Sequence, residues 1–379
     1  MASPERFIPV GKPSVSQGEL DAVADVIRSG WWTTGPKVTE FEENVCSYLG
    51  QGLHAVGLNS CTGGLFLSLL AHGIGAGDEV IVPTWTFVAT SHVVEWTGAR
   101  VVLCDVEPGT LNIDVAHARS LVTERTKAVM PVHFAGYPCD MAGLRSLADE
   151  YGLAIIEDAA HAIGARHDGV SIGDHGFTTV FSFYVTKNLA CGEGGMVVSR
   201  DQDLVEKVRK LGYFGVNKKA FERYTSRGSW FYEVEELGYK YNMDNIHAAL
   251  GLAQLSRLEE MNDRRREIAA RYRAGLKLAE PLADDPRHHH IYHLFPVLLP
   301  EEMDRDDVFL RLRDQGIGTS VHFIPLHLHP YYQRLDKGQL PVATAAFRRA
   351  LSLPMYPGLT DEDQEYVIET LNEILEAGS

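Results

Sequence analysis

The chain has 379 residues, 45% of them hydrophobic, which is enough to bury a large core and predicts two domains. Its 35 Lys and Arg against 51 Asp and Glu give a net charge of −16, which argues against a general nucleic-acid or anionic-membrane surface. Five scattered cysteines without a C-x-x-C pair, and no apolar stretch of membrane-spanning length, argue against a disulfide framework and predict a cytoplasmic protein with reduced thiols.

Two helices are predicted near the N-terminus. Ser16 and Glu19 have capping-box spacing, and Gly30 is a typical stop signal, so a helix is expected between them. Its apolar face would carry Leu20, Val23 and Ile27. A loop over residues 31–37 leads into a second amphipathic helix, whose apolar positions are Val38, Phe41, Val45 and Leu49.

The next part of the chain alternates between strand and helix patterns. Strands are expected at 53–58, 79–83, 101–106, 127–134 and 153–157, with helices at 62–73, 87–96, 113–122 and 141–151. Repeated β/α units predict an α/β fold, with a mainly parallel sheet and helices on both faces. Ligands are then expected at the carboxyl ends of the strands. A further apolar strand over 179–185 and a strand over 196–199 flank a glycine-rich loop.

The last third has a different pattern. Residues 211–236 form a long irregular segment, which in a compact protein is usually functional. A long helix over 245–274 is expected to connect to a smaller α+β domain, so the predicted domains are 1–244 and 245–379. The smaller domain would hold strands at 292–299 and 318–322 and helices at 307–315, 343–351 and 361–377.

Two ionisable residues follow buried strands. Lys187 comes after the strand at 179–185, where partial desolvation would lower the pKa of its amine and make it a carbonyl-attacking nucleophile. A single lysine in such a place is more often an ordinary surface residue. Asp158, however, ends the strand at 153–157. A carboxylate at one strand end and a lysine at another are what pyridoxal phosphate needs, since the amine bonds to its aldehyde and the acid keeps its ring nitrogen protonated.

The motifs around these two residues resemble a known family. Ile156-Glu-Asp-Ala-Ala-His161, Phe181-Ser-Phe-Tyr-Val-Thr-Lys-Asn-Leu189 and Gly192-Glu-Gly-Gly195 are similar to motifs of the DegT/StrS sugar aminotransferases, in the fold-type-I pyridoxal phosphate superfamily. The resemblance extends over nearly the whole chain. It implies a large domain that binds pyridoxal 5'-phosphate, over residues 1–244, and the smaller C-terminal domain.

The resemblance also implies which residues hold the cofactor. Thr62 and Gly63, at a predicted helix N-terminus, would bind its phosphate together with Ser182, although Ser and Thr at such positions more often only cap the helix. Phe87, in Pro83-Thr-Trp-Thr-Phe87, would stack on the ring, and His161 would reach the ring hydroxyl.

One implied cofactor contact comes from a second subunit. Asn242 would contact the phosphate of the neighbouring subunit, which predicts a homodimer with shared active sites. From the residues alone, Asn242 is about equally expected to cap the following helix.

Substrate contacts follow in the same way. The resemblance implies that the substrate is contacted by Thr33, Tyr184, His322 and His327. His322, His327 and His329 are close enough in sequence to suggest metal ligands, but no carboxylate or cysteine set completes a site, so no metal is expected. His288-His-His290 is expected to be a solvated loop. Candidates for a nucleotide diphosphate are Lys218, Lys219, Arg223 and Arg227, although basic loop residues are more often simply solvated.

The resulting functional prediction is a pyridoxal-phosphate aminotransferase with L-glutamate as amino donor. His161 and the Trp31–Lys37 loop resemble the C4-aminating group, which includes the UDP-4-amino-4-deoxy-L-arabinose aminotransferase. The expected substrate is therefore a TDP- or UDP-linked 4-keto-6-deoxyhexose or 4-ketopentose. Two alternatives remain: an aminotransferase for a 3-keto sugar or a cyclitol ketone such as an inosose, and a non-catalytic cofactor-binding regulator.

Overall fold

The computed structural model describes residues 6–216, 231–335 and 338–378. In these ranges helices α1 to α12 span, in order, Gln17–Ser29, Pro36–Leu49, Cys61–Ala71, Val88–Trp96, Val115–Ser120, Met141–Tyr151, Gln202–Leu211, Asn245–Leu255, Leu258–Gly275, Arg305–Asp314, Pro341–Arg349 and Asp361–Gly378. Strands β1 to β12 span His54–Leu58, Glu79–Pro83, Arg100–Cys104, Thr126–Val129, Ala154–Asp158, Arg166–His167, Val170–Ser171, Thr178–Ser182, Gly195–Ser199, Glu280–Pro281, Phe295–Leu298 and Ala350–Leu353. The four basic diphosphate candidates between 218 and 227 lie outside the described residues.

The main sheet has seven strands in the order β1-β9-β8-β5-β4-β2-β3. Its strands run parallel except β9, which is antiparallel to both of its neighbours, β1 and β8. Separate apolar clusters on the sheet include residues of α2 and α6 in one and of α3 and α7 in the other. This arrangement confirms the predicted α/β class, and it brings the carboxyl ends of β5 and β8 to the same edge.

Helix α1 has the predicted capping box, in which Ser16 and Glu19 satisfy each other's backbone donors. Its apolar residues are oriented differently from the expectation. Val26 and the Glu19 carboxylate are buried, whereas Leu20 is 58% exposed and Ile27 is 44% exposed. The helix packs against α8 on its Glu19 side, so the face that the sequence assigns to the core is directed outwards in this chain.

The predicted helix over 245–274 is two helices, which corrects the sequence analysis. The break at Arg257, with φ −114° and ψ 3°, lets its guanidinium donate to Glu19 Oε1 at 3.0 Å. Gln254 Nε2 donates to the same oxygen at 2.7 Å. Desolvation alone would raise the pKa of Glu19, but hydrogen bonds, led by that from Ser16, outweigh it and lower this pKa to about 2. The break thus satisfies a buried carboxylate that is distant in sequence.

A second core surrounds a three-stranded antiparallel sheet of order β10-β11-β12. This core includes buried residues of α9, α10 and α12. The prediction of a strand at 318–322 is wrong, because that segment makes only an isolated bridge between Ser320 and Ser352. The third strand is instead Ala350–Leu353, which begins directly where α11 ends. The division at 244/245 stays a prediction.

The histidine run at 288–290 is not a solvated loop, which corrects another expectation. His290 is buried, and its ring stacks on that of Tyr292 with centroids 3.7 Å apart. The backbone of His289 pairs with Arg166, which tethers this segment to the β6–β7 hairpin. Among the described residues, no helix combines the length and apolarity needed to cross a membrane.

Candidate active site

The carboxylate of Asp158 lies at the end of β5, almost completely buried. Thr90 Oγ1 donates to its Oδ2 at 2.8 Å, and the backbone N–H of Ala160 donates to its Oδ1 at 3.1 Å. Desolvation raises the pKa of Asp158, while these two hydrogen bonds and the charge of Lys187 act in the opposite direction. Removing any of the three would therefore favour the protonated acid.

Lys187 follows β8 and faces the same edge of the sheet. Its backbone N–H donates to the carbonyl of Tyr184 at 2.8 Å, which fixes the turn after the strand. Burial lowers the pKa of the Lys187 amine to about 8, against the opposing influence of the Asp158 carboxylate. The amine and the carboxylate are thus close enough to influence each other's ionisation, as the sequence analysis expected, and a useful fraction of the amine is neutral near neutral pH.

The N-terminus of α3 forms a cup of backbone donors. Ser60 is the cap, and its Oγ accepts from the N–H of Gly63 at 3.0 Å, while Thr62 lies in the first turn. Strand β9 packs directly behind the cup, since a Cβ on Gly195 would lie 2.4 Å from the backbone of Ser60. Ser182, the partner of Gly195 across the β8–β9 ladder, is brought to the same edge. A helix N-terminus with adjacent hydroxyls is suited to a phosphate dianion.

Aromatic and imidazole rings line the space beside Lys187. Phe87 is the N-cap of α4 and is 59% exposed; its ring lies 6.1 Å from that of Phe323 and keeps exposed surface for a ligand. His161 stacks on Phe323 at 5.9 Å and lies 4.2 Å from the ring of His293. The sequence analysis missed Phe323 and His293. No sequence motif indicates His293. Its place in the site follows from a contact in the structure, where its Nδ1 lies 3.1 Å from Oδ1 of Asn188, the residue after Lys187.

The imidazoles in this space are kept neutral. Desolvation, with the positive charge of Lys187 adding to it, lowers the pKa of His161 well below its usual range and that of His322 to about 4. His293 is affected in the same direction by burial. The Nδ1 of His161 is buried without a hydrogen-bond partner among the described residues. Such an atom is costly to leave unpaired unless a ligand meets it.

The four residues predicted to contact the substrate differ in burial and in hydrogen-bond partners. Both ring nitrogens of the buried His327 are already engaged, with Thr84 Oγ1 at 2.7 Å and Thr344 Oγ1 at 2.9 Å. His322 is nearer the site and meets a serine hydroxyl at 3.0 Å. Tyr184 and Thr33 are exposed. Their roles towards a substrate stay predictions.

Asn242 is part of a unit that includes the loop before α2. Its side-chain amide donates to Thr34 Oγ1 at 2.5 Å and accepts from the ammonium of Lys240. Asn245 donates to the carbonyl of Trp31 at 2.9 Å, so the loop and the segment of Asn242 are fixed to each other. Whether Asn242 serves a neighbouring subunit stays a prediction.

These groups fit pyridoxal phosphate. The cup of α3 matches its phosphate, Asp158 its ring nitrogen, Lys187 its aldehyde and Phe87 the face of its ring, and the unpaired Nδ1 of His161 suits a ring oxygen. Acid and amine are attached to separate strands of one sheet edge. One planar ligand between them would therefore meet all five features.

Comparisons with known proteins agree with a site for pyridoxal phosphate. A sequence profile described as the DegT/DnrJ/EryC1/StrS aminotransferase family matches residues 13–372. The chain is 45% identical to the spore coat polysaccharide biosynthesis protein SpsC of Bacillus subtilis, over 97% of each chain. It is similar in structure to the aminotransferase TlmJ of Streptoalloteichus hindustanus, with a TM-score of 0.92, 36% identity and coverage of 98% of this chain and 100% of that one. It is also similar to the putative sugar aminotransferase Spr1654 of Streptococcus pneumoniae in its PLP form. The TM-score is 0.92 and the sequence identity 32%, with coverage of 98% of this chain and 100% of that one.

Proposed function

Because this chain belongs to the DegT/DnrJ/EryC1/StrS aminotransferase family, we propose that it transfers the amino group of L-glutamate to a nucleotide-linked 4-keto sugar. The chain is a pyridoxal-phosphate-dependent sugar aminotransferase. The proposal adds the keto position, the nucleotide and the donor. The observation that supports amino-group transfer at this site is the buried Lys187 amine near Asp158, in a space lined by neutral imidazoles.

The chain's own residues supply the proton chemistry. The cofactor, when bound, provides an electron sink for the bond broken at the amino-bearing carbon. Lys187 Nζ would take the proton from the donor's α-carbon and deliver it again in the second half-reaction, since a pKa of about 8 lets the amine be neutral or charged. Asp158 must stay ionised to hold a proton on the ring nitrogen, and Thr90 Oγ1, donating at 2.8 Å, favours that state.

The lining of the space supports a sugar as the second substrate. The neutral rings of His161 and His322 can exchange hydrogen bonds with hydroxyl groups without adding charge. Phe323 and the exposed Phe87, with ring centroids 6.1 Å apart, add apolar faces for the ring carbons. These groups suit the hydroxyl groups and ring carbons of the sugar, whereas the carboxylates of glutamate and the diphosphate of the nucleotide need cationic partners of their own.

The keto position is proposed from sequence motifs. His161 and the Trp31–Lys37 loop are similar to those of the C4-aminating group, which favours a TDP- or UDP-linked 4-keto-6-deoxyhexose or 4-ketopentose. A panel of these substrates and of 3-keto sugars and an inosose, each with glutamate, would test this. Formation of 2-oxoglutarate reports turnover, and NMR of the product locates the new amine.

Turnover with 3-keto sugars alone would overturn the proposed position, and turnover of an inosose alone would exclude the nucleotide sugar. No 2-oxoglutarate with any member of the panel would favour a non-catalytic role. Lys187→Ala is the matched control, because it should keep the fold and lose turnover.

A homodimer with shared sites forms part of the proposal. The outward face of α1, with Leu20 58% exposed and Ile27 44% exposed, supports burial against a second copy. The adjoining loop adds Trp31 and Trp32, which are 39% and 53% exposed. Replacing Leu20 and Ile27 by Glu should shift the protein to a monomer in light scattering, whereas an unchanged mass would place the interface elsewhere.

A mixing experiment tests whether Asn242 acts across the dimer. Lys187→Ala and Asn242→Ala homodimers should each be impaired, but a heterodimer would contain one intact site. Random exchange of subunits should then restore about one quarter of wild-type activity, because half of the dimers are mixed and each has one good site. No recovery after verified exchange would assign Asn242 to its own subunit.

The cysteines support the expected cytoplasmic location. Cys46, Cys61, Cys104, Cys139 and Cys191 are all free thiols. Four of them are buried, and thiols that persist unpaired are typical of reducing compartments.

A further inference from the structure

Three side chains meet away from the active site, between the β6–β7 hairpin and the segment before β11. The carboxylate of Asp168 lies beside two imidazoles: its Oδ2 is 3.8 Å from His167 Nδ1, and its Oδ1 is 3.8 Å from His288 Nδ1. The three donor atoms all lie within 4.8 Å of one another. One carboxylate oxygen thus faces each ring.

The backbone holds the three residues in this arrangement. Asp168 and Gly169 form the tip of the hairpin, both with positive φ, at 47° and 83°. The N–H of His289 donates to the carbonyl of Arg166 at 2.8 Å, and the N–H of Arg166 returns a bond of 3.2 Å. Arg166 and His289 thus form a backbone bridge, and His167 and His288 are their neighbours in sequence. The rings of these two histidines stack with centroids 4.4 Å apart.

The distances suit a metal ion better than direct hydrogen bonds. At 3.8 Å neither nitrogen can share a proton with the carboxylate. Two ligands of a tetrahedral zinc ion, each at ~2.1 Å, are ~3.4 Å apart, so each nitrogen would move ~0.4 Å towards its carboxylate oxygen, and no pair in the set, which lies within 4.8 Å, would need to contract by more than ~1.4 Å. Within the part of the chain that the structure describes, the buried Nδ1 of His288 has no hydrogen-bond partner, and only 10% of this side chain is exposed. The neighbouring Arg287 is held by Asp285 at 2.9 Å.

We propose that His167 Nδ1, His288 Nδ1 and the Asp168 carboxylate bind a divalent transition-metal ion of the zinc class. Asp168 is 58% exposed, so the fourth position is open to water. The ion would cross-link the hairpin to the segment that leads into β11. This departs from the sequence analysis, which expected no metal.

Zinc titration of the cofactor-loaded, tag-free protein tests the site. Competition with a chromophoric chelator should give one zinc per chain, and Co²⁺ in its place should show tetrahedral d–d absorption bands. Asp168→Asn keeps a residue that tolerates positive φ, so the hairpin should persist while affinity falls at least ~10-fold, the loss that even an outer-shell change can cause. His288→Ala should have the same effect.

The matched control is His54→Ala, which removes a histidine at the start of β1 and should leave zinc affinity unchanged. Zinc should also raise the melting temperature of the wild type but not that of the two ligand variants. Zinc affinity that is the same in all four proteins, or no binding at micromolar zinc, would overturn the proposal.

Discussion

Replacing Asp158 by Asn should lower the pKa of the Lys187 amine further. Burial already lowers this pKa from 10.5 to about 8 against the opposing charge of the carboxylate. A fall of that size corresponds to roughly 3 kcal/mol against the ammonium form, so roughly one amine in ten is neutral at pH 7, compared with fewer than about one in a thousand for an ordinary lysine. Without the carboxylate, desolvation is the main influence on the pKa of the Lys187 amine, so this pKa should fall below 8.

The assay is acylation of the cofactor-free protein between pH 5 and 11, with the Lys187 peptide quantified by mass spectrometry against an added lysine peptide. The wild-type rate should rise with a midpoint near pH 8. Lys187→Ala identifies the labelled peptide. A wild-type midpoint near 10 would refute the burial argument, and a midpoint that rises in Asp158→Asn would refute the assigned role of the carboxylate.

Three further changes test other parts of the structure. Thr90→Val removes a donor to the ionised Asp158 and should lower kcat at least ~10-fold, since a hydrogen bond to a charged group contributes about 1.5–3 kcal/mol, while Thr90→Ser should retain most activity. Glu42→Gln removes the carboxylate that pairs with Arg209 at 2.9 Å and leaves Glu206, at 3.5 Å, as its acidic partner, so it should reduce the free energy of unfolding by about 2 kcal/mol in urea, with no change in the slope. Gly195→Ala places a Cβ 2.4 Å from backbone and should weaken cofactor binding in a spectroscopic titration; Gly11→Ala, where the space is open, should not.

Local patterns were sufficient where neighbours in sequence determine the structure. The expectations for 79–83 and 141–151 match β2 and α6 residue for residue, because a continuous apolar run and an amphipathic repeat are each satisfied within their own element. The meeting of Asp158 and Lys187 was also predictable, since both follow strands of a sheet whose carboxyl ends share one edge.

The errors come from contacts between distant residues. The break before Arg257 depends on Glu19, which is 238 positions away, and no periodicity in 245–274 encodes it. The burial of His290 depends on Tyr137, whose ring centroid lies 5.3 Å away, and on the β6–β7 hairpin. The exposed face of α1 has the pattern of a core face, and the sequence alone cannot say which protein chain covers it.

The position of β9 has a consequence for how this chain matures on the ribosome. Strand β1 is made early but pairs in the main sheet only with β9, a strand that ends at Ser199. The backbone behind the cup of α3 is likewise Gly195, so more than half of the polypeptide must emerge before a phosphate site can exist. Until then β1 has no partner in the sheet, and the long separation between paired strands makes this a slow step. A nascent chain that stops short of β9 would therefore lack both the complete seven-stranded sheet and the backbone behind the phosphate cup.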